Sequence, residues 1–256
     1  MKHTTTSQIF ELNRLLEEAD RDDELPDNTE AAIYKLVETF SGITKRKLWI
    51  VNGRAAMTDG HKITVPLDAP EAYLLTEHEL AHILFKSDTH AKDRFVSAYS
   101  AKVTEVAKER GVRIDPERLA EAVDMLISVL EDHRVNTLWG VLYPGSFVRI
   151  HDLRQVLYLK YLDHASLNLG VYFGCLESGL AISTPRFDKF QPYMLEAIQK
   201  VELRGFAATL SMAKWLLMKI IDAIIEDKQV PEAMDSAKKD PEIRSQTLGK
   251  ALMTSA

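Results

Sequence analysis

Three times the sequence sets an aspartate one or two residues ahead of a proline and follows it with an apolar-periodic run: Asp68-Ala69-Pro70, Asp115-Pro116 and Asp240-Pro241. An aspartate side chain accepts from the unbonded N–H groups of a first helical turn, and proline is tolerated there because its missing N–H would have had no partner. These starts make the chain a mainly helical protein from Asp68 onward. The apolar spacing predicts a first helix there and further helices near 91–110, 116–142, 148–162, 166–178, 186–203, 207–226 and 241–253. Ahead of them, helices over about 7–19 and 29–40 flank the acidic, proline-containing "DRDDELPDN". The one convincing β region lies between Lys45 and Pro66, where "KRKLWIV" and "HKITVP" are short β-branched or aromatic runs and Asp59-Gly60 is a turn signal. Two or three antiparallel strands are expected. The fold class is therefore α+β, mainly α: a small antiparallel sheet, then a helix, then a helical bundle.

The first of those helices carries "TEHELAHILFKSD", in which His78, Glu79 and His82 spell HExxH. Positions i and i+4 share one face of a helix, so the two imidazoles can be aimed at one ion. Glu79 stands beside the first of them, where a general base is needed to act on a water at that ion. In a chain with 8 histidines the pattern arises by chance about 2% of the time. Its setting argues further against accident. Leu74, Leu75, Ala81 and Phe85 flank the histidines, so the pair lies beside core positions, where an unpartnered imidazole is costly.

Composition narrows the donor set. Cys175 is the only cysteine, which excludes an internal disulfide and a thiolate-rich zinc cluster and leaves His and carboxylate as ligands. Cysteine usage also fits a reducing, cytoplasmic setting. The net charge of -6 is spread over 32 basic and 38 acidic residues without a basic patch, so no nucleic-acid footprint is expected. The apolar stretch from Phe206 is broken by Lys214, Lys219 and Asp222, which argues against a membrane span. The amino-terminal residues lack the apolar core of a signal peptide.

A catalytic zinc takes a third protein ligand. The metzincin continuation is absent, with Phe at 85 and Asp at 88 in place of its Gly and His. "ISVLEDHRVN", on the helix after Pro116, offers the best candidates. Val123, Leu126, Ile127, Leu130, Leu138 and Val141 define a buried seam on that helix, with Glu131 and His133 on its borders and Asp132 facing nearly the opposite way. Glu131 is the first candidate ligand and His133 the second. Asp132 and Asp124 are alternatives as ligand or as a hydrogen-bonding partner of a ligand histidine. Tyr143, His151 and Tyr172 are candidates for stabilising an oxyanion, with nothing in the sequence to choose among them. "YPGSF" reads as a turn, Cys175 as a small buried hydrophobe, and "HKITVP" as a strand able to pair with an extended substrate.

"EHELAHILF", followed about fifty residues later by "VLEDHRVN" and preceded by "MTDGHKITVP", resembles the HExxH metallopeptidase-like domain associated with von Willebrand factor A and cobalt-chelatase large-subunit proteins. The resemblance covers roughly residues 45–140. It implies a zincin-like fold with His78, His82 and Glu131 as zinc ligands, Glu79 as base and a peptide or protein as substrate. It also implies a second reading, a non-catalytic zincin-fold adaptor for an ATPase or von Willebrand-domain assembly. Neither an Asp-x-Ser-x-Ser motif nor a G-x-x-x-x-G-K motif occurs in the chain. Residues 1–145 would form the metal-binding domain and 146–256 a helical region packing on it or binding a partner.

Overall fold

The computed structural model describes residues 29–109, 115–164, 169–180, 182, 187–201 and 204–226. The helices expected over 7–19 and 241–253, and the Asp240 start, lie outside them. The described elements are α1 (Thr29–Thr44), β1 (Trp49–Asn52), β2 (Met57–Thr58), β3 (Lys62–Val65), α2 (Ala72–Leu84), α3 (Thr89–Glu109), α4 (Pro116–Leu142), α5 (Pro144–His164), α6 (Leu169–Glu177), a 3-10 turn (Asp188–Phe190), α7 (Gln191–Val201) and α8 (Phe206–Glu226). The chain is mainly helical with one small mixed sheet. No described helix is long and apolar enough to cross a membrane.

The described residues form two compact units, one from 29–87 with Val135–Leu153, the other from the described parts of 88–134 and 154–226. In the first, Ile33, Leu36, Val37 and Phe40 of α1, Ile50 of β1, Ile63 and Val65 of β3, Leu80, Ala81 and Ile83 of α2, and Val135 and Trp139 of α4 share a buried core. In the second, Tyr99 and Val103 of α3, Leu119 to Leu130 of α4, Tyr172 and Phe173 of α6, and the inner faces of α7 and α8 make another.

The sheet has the order β1-β3-β2. β2 and β3 form the expected antiparallel hairpin. Asp59 closes its turn by accepting from the N–H groups of His61 and Lys62 at 3.0 and 2.8 Å, which holds its carboxyl below the ordinary value, while Gly60 takes φ +94. β1, however, runs parallel to β3 rather than antiparallel. The register sets Ile50 against Ile63, both buried, and this cross-strand pairing outweighs the usual preference for antiparallel neighbours. The order also removes "HKITVP" as a strand for substrate: β3 is the centre of the sheet, with a neighbour on each side.

Asp115 caps α4 as expected, its Oδ1 accepting from Glu117 N–H at 3.0 Å. Asp68 does not cap α2; that helix starts at Ala72 with no side-chain cap, after two tight backbone turns, Ala69 N–H to Pro66 and Ala72 N–H to Ala69. "YPGSF" is not an extended turn, because only Tyr143 separates α4 from α5 and Pro144 takes the first helical position.

The buried seam of α4 holds through Val123, Leu126, Ile127 and Leu130 and then changes face. Val135 and Trp139 are buried, whereas Val141 is 68% exposed. Counted at 3.6 residues per turn, the second seam lies on roughly the opposite side of the helix from the first. The change falls where the chain passes from one unit to the other, between Arg134 and Val135.

Candidate metal centre

α2 buries Leu80, Ala81 and Ile83, and this apolar face fixes the rotation of the helix, leaving His78 and His82 half-buried at its edge. How the helix stops then matters for His82. Ser87 N–H bonds His82 C=O and Lys86 N–H bonds Ile83 C=O, with Lys86 at φ 58. This is the paired bonding of a Schellman stop, with lysine where glycine is usual. It folds Ser87 back over the last turn, and Ser87 Oγ lies 2.9 Å from His82 Nδ1.

His78 is held from α4. Its Nδ1 lies 2.9 Å from Asn136 Oδ1, and Asn136 is buried. An amide oxygen only accepts, so His78 Nδ1 carries the proton and Nε2 presents its lone pair. The Ser87 hydroxyl can accept from His82 Nδ1–H in the same way. The two Nε2 atoms are 3.2 Å apart and the rings are perpendicular, with centroids at 4.7 Å. Two ring nitrogens at ordinary zinc distances in a tetrahedral site stand about 3.3 Å apart. The pair thus has the separation that a shared zinc ion requires.

Glu79 is 5% exposed, on the turn between the two histidines. The preceding Glu77 is buried as well and accepts from Ser146 Oγ at 2.8 Å, while Ser146 accepts from Trp139 Nε1 at 2.9 Å. Tyr143 packs on Trp139 with ring centroids 4.4 Å apart. Its hydroxyl is buried with no hydrogen-bond partner among the described residues, and burial, then the charge of Glu77, raise its pKa.

The candidates on α4 have distinct surroundings. Glu131 is buried and its carboxylate is taken up by Arg134, Nε to Oε2 at 2.8 Å and Nη2 to Oε1, with Thr209 Oγ1 donating to Oε2 at 2.8 Å. Arg134 also donates to the Arg204 carbonyl at 3.2 Å. This is a closed structural ion pair. His133 Nδ1 lies 3.0 Å from Glu177 Oε1. Asp124 pairs with Lys92 at 2.8 Å. Asp132 is 29% exposed and lies 3.5 Å from Arg154 Nη1. Asp132 also stands one helical turn before Asn136, so the two leave the same face of α4.

Of the other residues considered for oxyanion binding, Tyr172 donates to Asp188 Oδ1 at 2.8 Å, and His151 stacks on Phe147 at 6.0 Å. Cys175 is fully buried, which pushes its thiol up to about 11. Asn136 and Ser87 are the site residues that the sequence reading missed. Asn136 is the last residue of "LEDHRVN", one turn beyond Asp132, and that spacing was the available signal. Ser87 had none, since only the shape of the helix stop brings it to His82.

No protein-family model matches the chain, and no curated protein and no solved structure gave a match.

Proposed function

We propose that the protein is a zinc-dependent, metallopeptidase-like hydrolase with a zincin-like fold, in which His78 and His82 hold the ion and Glu79 is the general base. The observation that carries this reading is the approach of the two Nε2 atoms to 3.2 Å with each Nδ1 occupied by a neutral partner. The oxygens of Glu131, the first candidate for a third ligand, are engaged by Arg134 and Thr209. Two imidazoles completed by a carboxylate suit zinc.

A zinc ion held by His78 and His82 would supply polarisation of a substrate carbonyl and would lower the pKa of a water beside it. The chain's own groups do the rest. Asn136 fixes the tautomer and aim of His78, and Ser87 aims His82, as outer partners of metal-bound histidines do. Glu79 takes a proton from the attacking water and delivers it to the departing amine, and its burial limits competition from bulk water. The substrate class is a peptide or protein.

The test pairs elemental analysis with turnover of a peptide library. Wild type is expected to carry close to one zinc per chain, and Glu79→Gln to keep the metal and lose hydrolysis. Retained hydrolysis in Glu79→Gln would remove Glu79 from the mechanism, and absence of metal in zinc-supplied wild type would remove the site.

A further inference from the structure

β1 is an edge strand, with β3 on one side and no described strand on the other. Its parallel register fixes which backbone groups look outward. Trp49 N–H bonds His61 C=O at 3.2 Å and Gly53 N–H bonds Val65 C=O at 2.9 Å, so residues 49, 51 and 53 turn to β3 and the N–H and C=O groups of Ile50 and Asn52 turn away from it. Side chains alternate between the two faces of the sheet. Ile50, Ile63 and Val65 enter the core, while Trp49, Val51 and Met57 stand on the outer face, 45%, 36% and 56% exposed. Val51 and Met57 both pair with Thr64 and so form one row across the three strands. Trp49 stacks on His61 beside that row, with ring centroids 6.5 Å apart. Gly53 lets the strand lie close over Thr64, where a Cβ would meet Cγ2 at 2.2 Å.

Charge sets this edge apart from the rest of the chain. "WIVN" itself is uncharged, but Lys45, Arg46 and Lys47 precede it and Arg54 follows, with no acidic residue from Lys45 to Arg54 in a chain of net charge -6. All four cations are exposed, and none has an ion pair among the described residues. A single apolar residue on a surface is ordinary, whereas a contiguous apolar row beside an unpaired strand edge is the surface that an added strand covers. A second copy of the chain is disfavoured there. Antiparallel pairing of two β1 strands would bring the basic end before β1 in one copy against Arg54 of the other, and like charges oppose it. A nucleic-acid strand would meet the cations, but phosphates accept hydrogen bonds without donating them and would leave the outward C=O groups of Ile50 and Asn52 unmatched. An extended peptide with acidic residues toward both ends matches the cations and the backbone groups together.

We infer that β1 is a docking edge for an extended, acidic segment of a partner protein. The segment adds as a strand beside β1, lays alternate apolar side chains over Trp49 and Val51, and sets its carboxylates against Lys47 and Arg54. Backbone bonds supply the affinity, and the flanking charges supply selectivity and register. The inference does not rest on the zinc reading: α2 packs against β3 and β2, and β1 is the edge opposite β2.

The experiment uses the full chain and a fluorescein-labelled synthetic peptide in which valine and threonine alternate between paired glutamates, read by fluorescence anisotropy. Wild type is expected to bind it, and less tightly as salt rises. Of the peptide's two N-methylated forms, one at the valines and one at the threonines, the form that blocks the N–H groups facing β1 is expected to lose binding and the other to keep it. Lys47→Glu combined with Arg54→Glu is expected to weaken binding about tenfold while the circular dichroism spectrum stays that of wild type. Lys47→Gln combined with Arg54→Gln reads the same loss at a smaller size if the charge-reversed chain does not fold. No binding by wild type, equal binding of the two N-methylated forms, or wild-type affinity in the folded charge variants would overturn the proposal. So would tighter binding of a single-stranded oligonucleotide than of the peptide, or a wild-type dimer in sedimentation that Trp49→Lys dissolves.

Discussion

His78 and His82 on α2 and His133 on α4 are all half-buried, and all have Nδ1 held by a neighbour, yet their surroundings differ in kind. The α2 pair is held by an amide and a hydroxyl, and its two Nε2 atoms face one another at 3.2 Å. His133 is held by the carboxylate of Glu177, itself paired with Arg154. Neutral partners fix an imidazole's direction without adding charge. A carboxylate already paired with an arginine makes the third histidine part of a structural network. Histidines are assigned to chemistry by what holds them, and residue type alone does not separate the two cases.

The sharpest way to break this comparison is to remove one histidine from each region. His78→Ala is expected to reduce zinc from close to one per chain to none, and His133→Ala to leave the stoichiometry unchanged; elemental analysis of both reads the difference. Equal loss in the two variants would erase the distinction.

A second contrast sets Glu131 against the α2 histidines. Glu131→Ala leaves Arg134 buried without its main partner, and breaking a buried pair from one side costs about 3–5 kcal/mol. Urea unfolding should show that loss while the folded fraction keeps its zinc. Loss of metal with unchanged stability would return Glu131 to the ligand set.

The smallest effect comes from the neutral partners. Asn136→Ala should lower zinc affinity about 10- to 100-fold without abolishing binding, as read by chelator competition. Wild-type affinity there would mean that His78 is oriented by the helix alone.

What the sequence disclosed was local. α4 runs from Pro116 to Leu142, as the Asp115 cap and the apolar spacing predict, and the β2–β3 hairpin follows from Asp59-Gly60. The parallel pairing of β1 with β3 was not legible, since it depends on which buried isoleucine meets which across the sheet. The seam on α4 was drawn too long for a related reason. A single seam drawn through Leu130 and Val141 assumes one buried face along the helix, and α4 serves two cores with nearly opposite faces. Glu131 and Arg134 have the i,i+3 spacing of an ordinary surface ion pair of little value, whereas both are buried and Thr209, 78 residues away, completes the pair. Long-range partners of this kind leave no mark in a local pattern.

The left-handed Lys86 that ends α2 makes the distance in sequence from His82 to Ser87 a fixed measure. One residue more or fewer in that interval would carry the serine away from the imidazole while every letter of HExxH stayed in place. The smallest transferable piece of this site is therefore the ten residues from His78 to Ser87, stop included, and a graft of the five-residue motif onto a longer helix would give His82 no Ser87 to hold its ring.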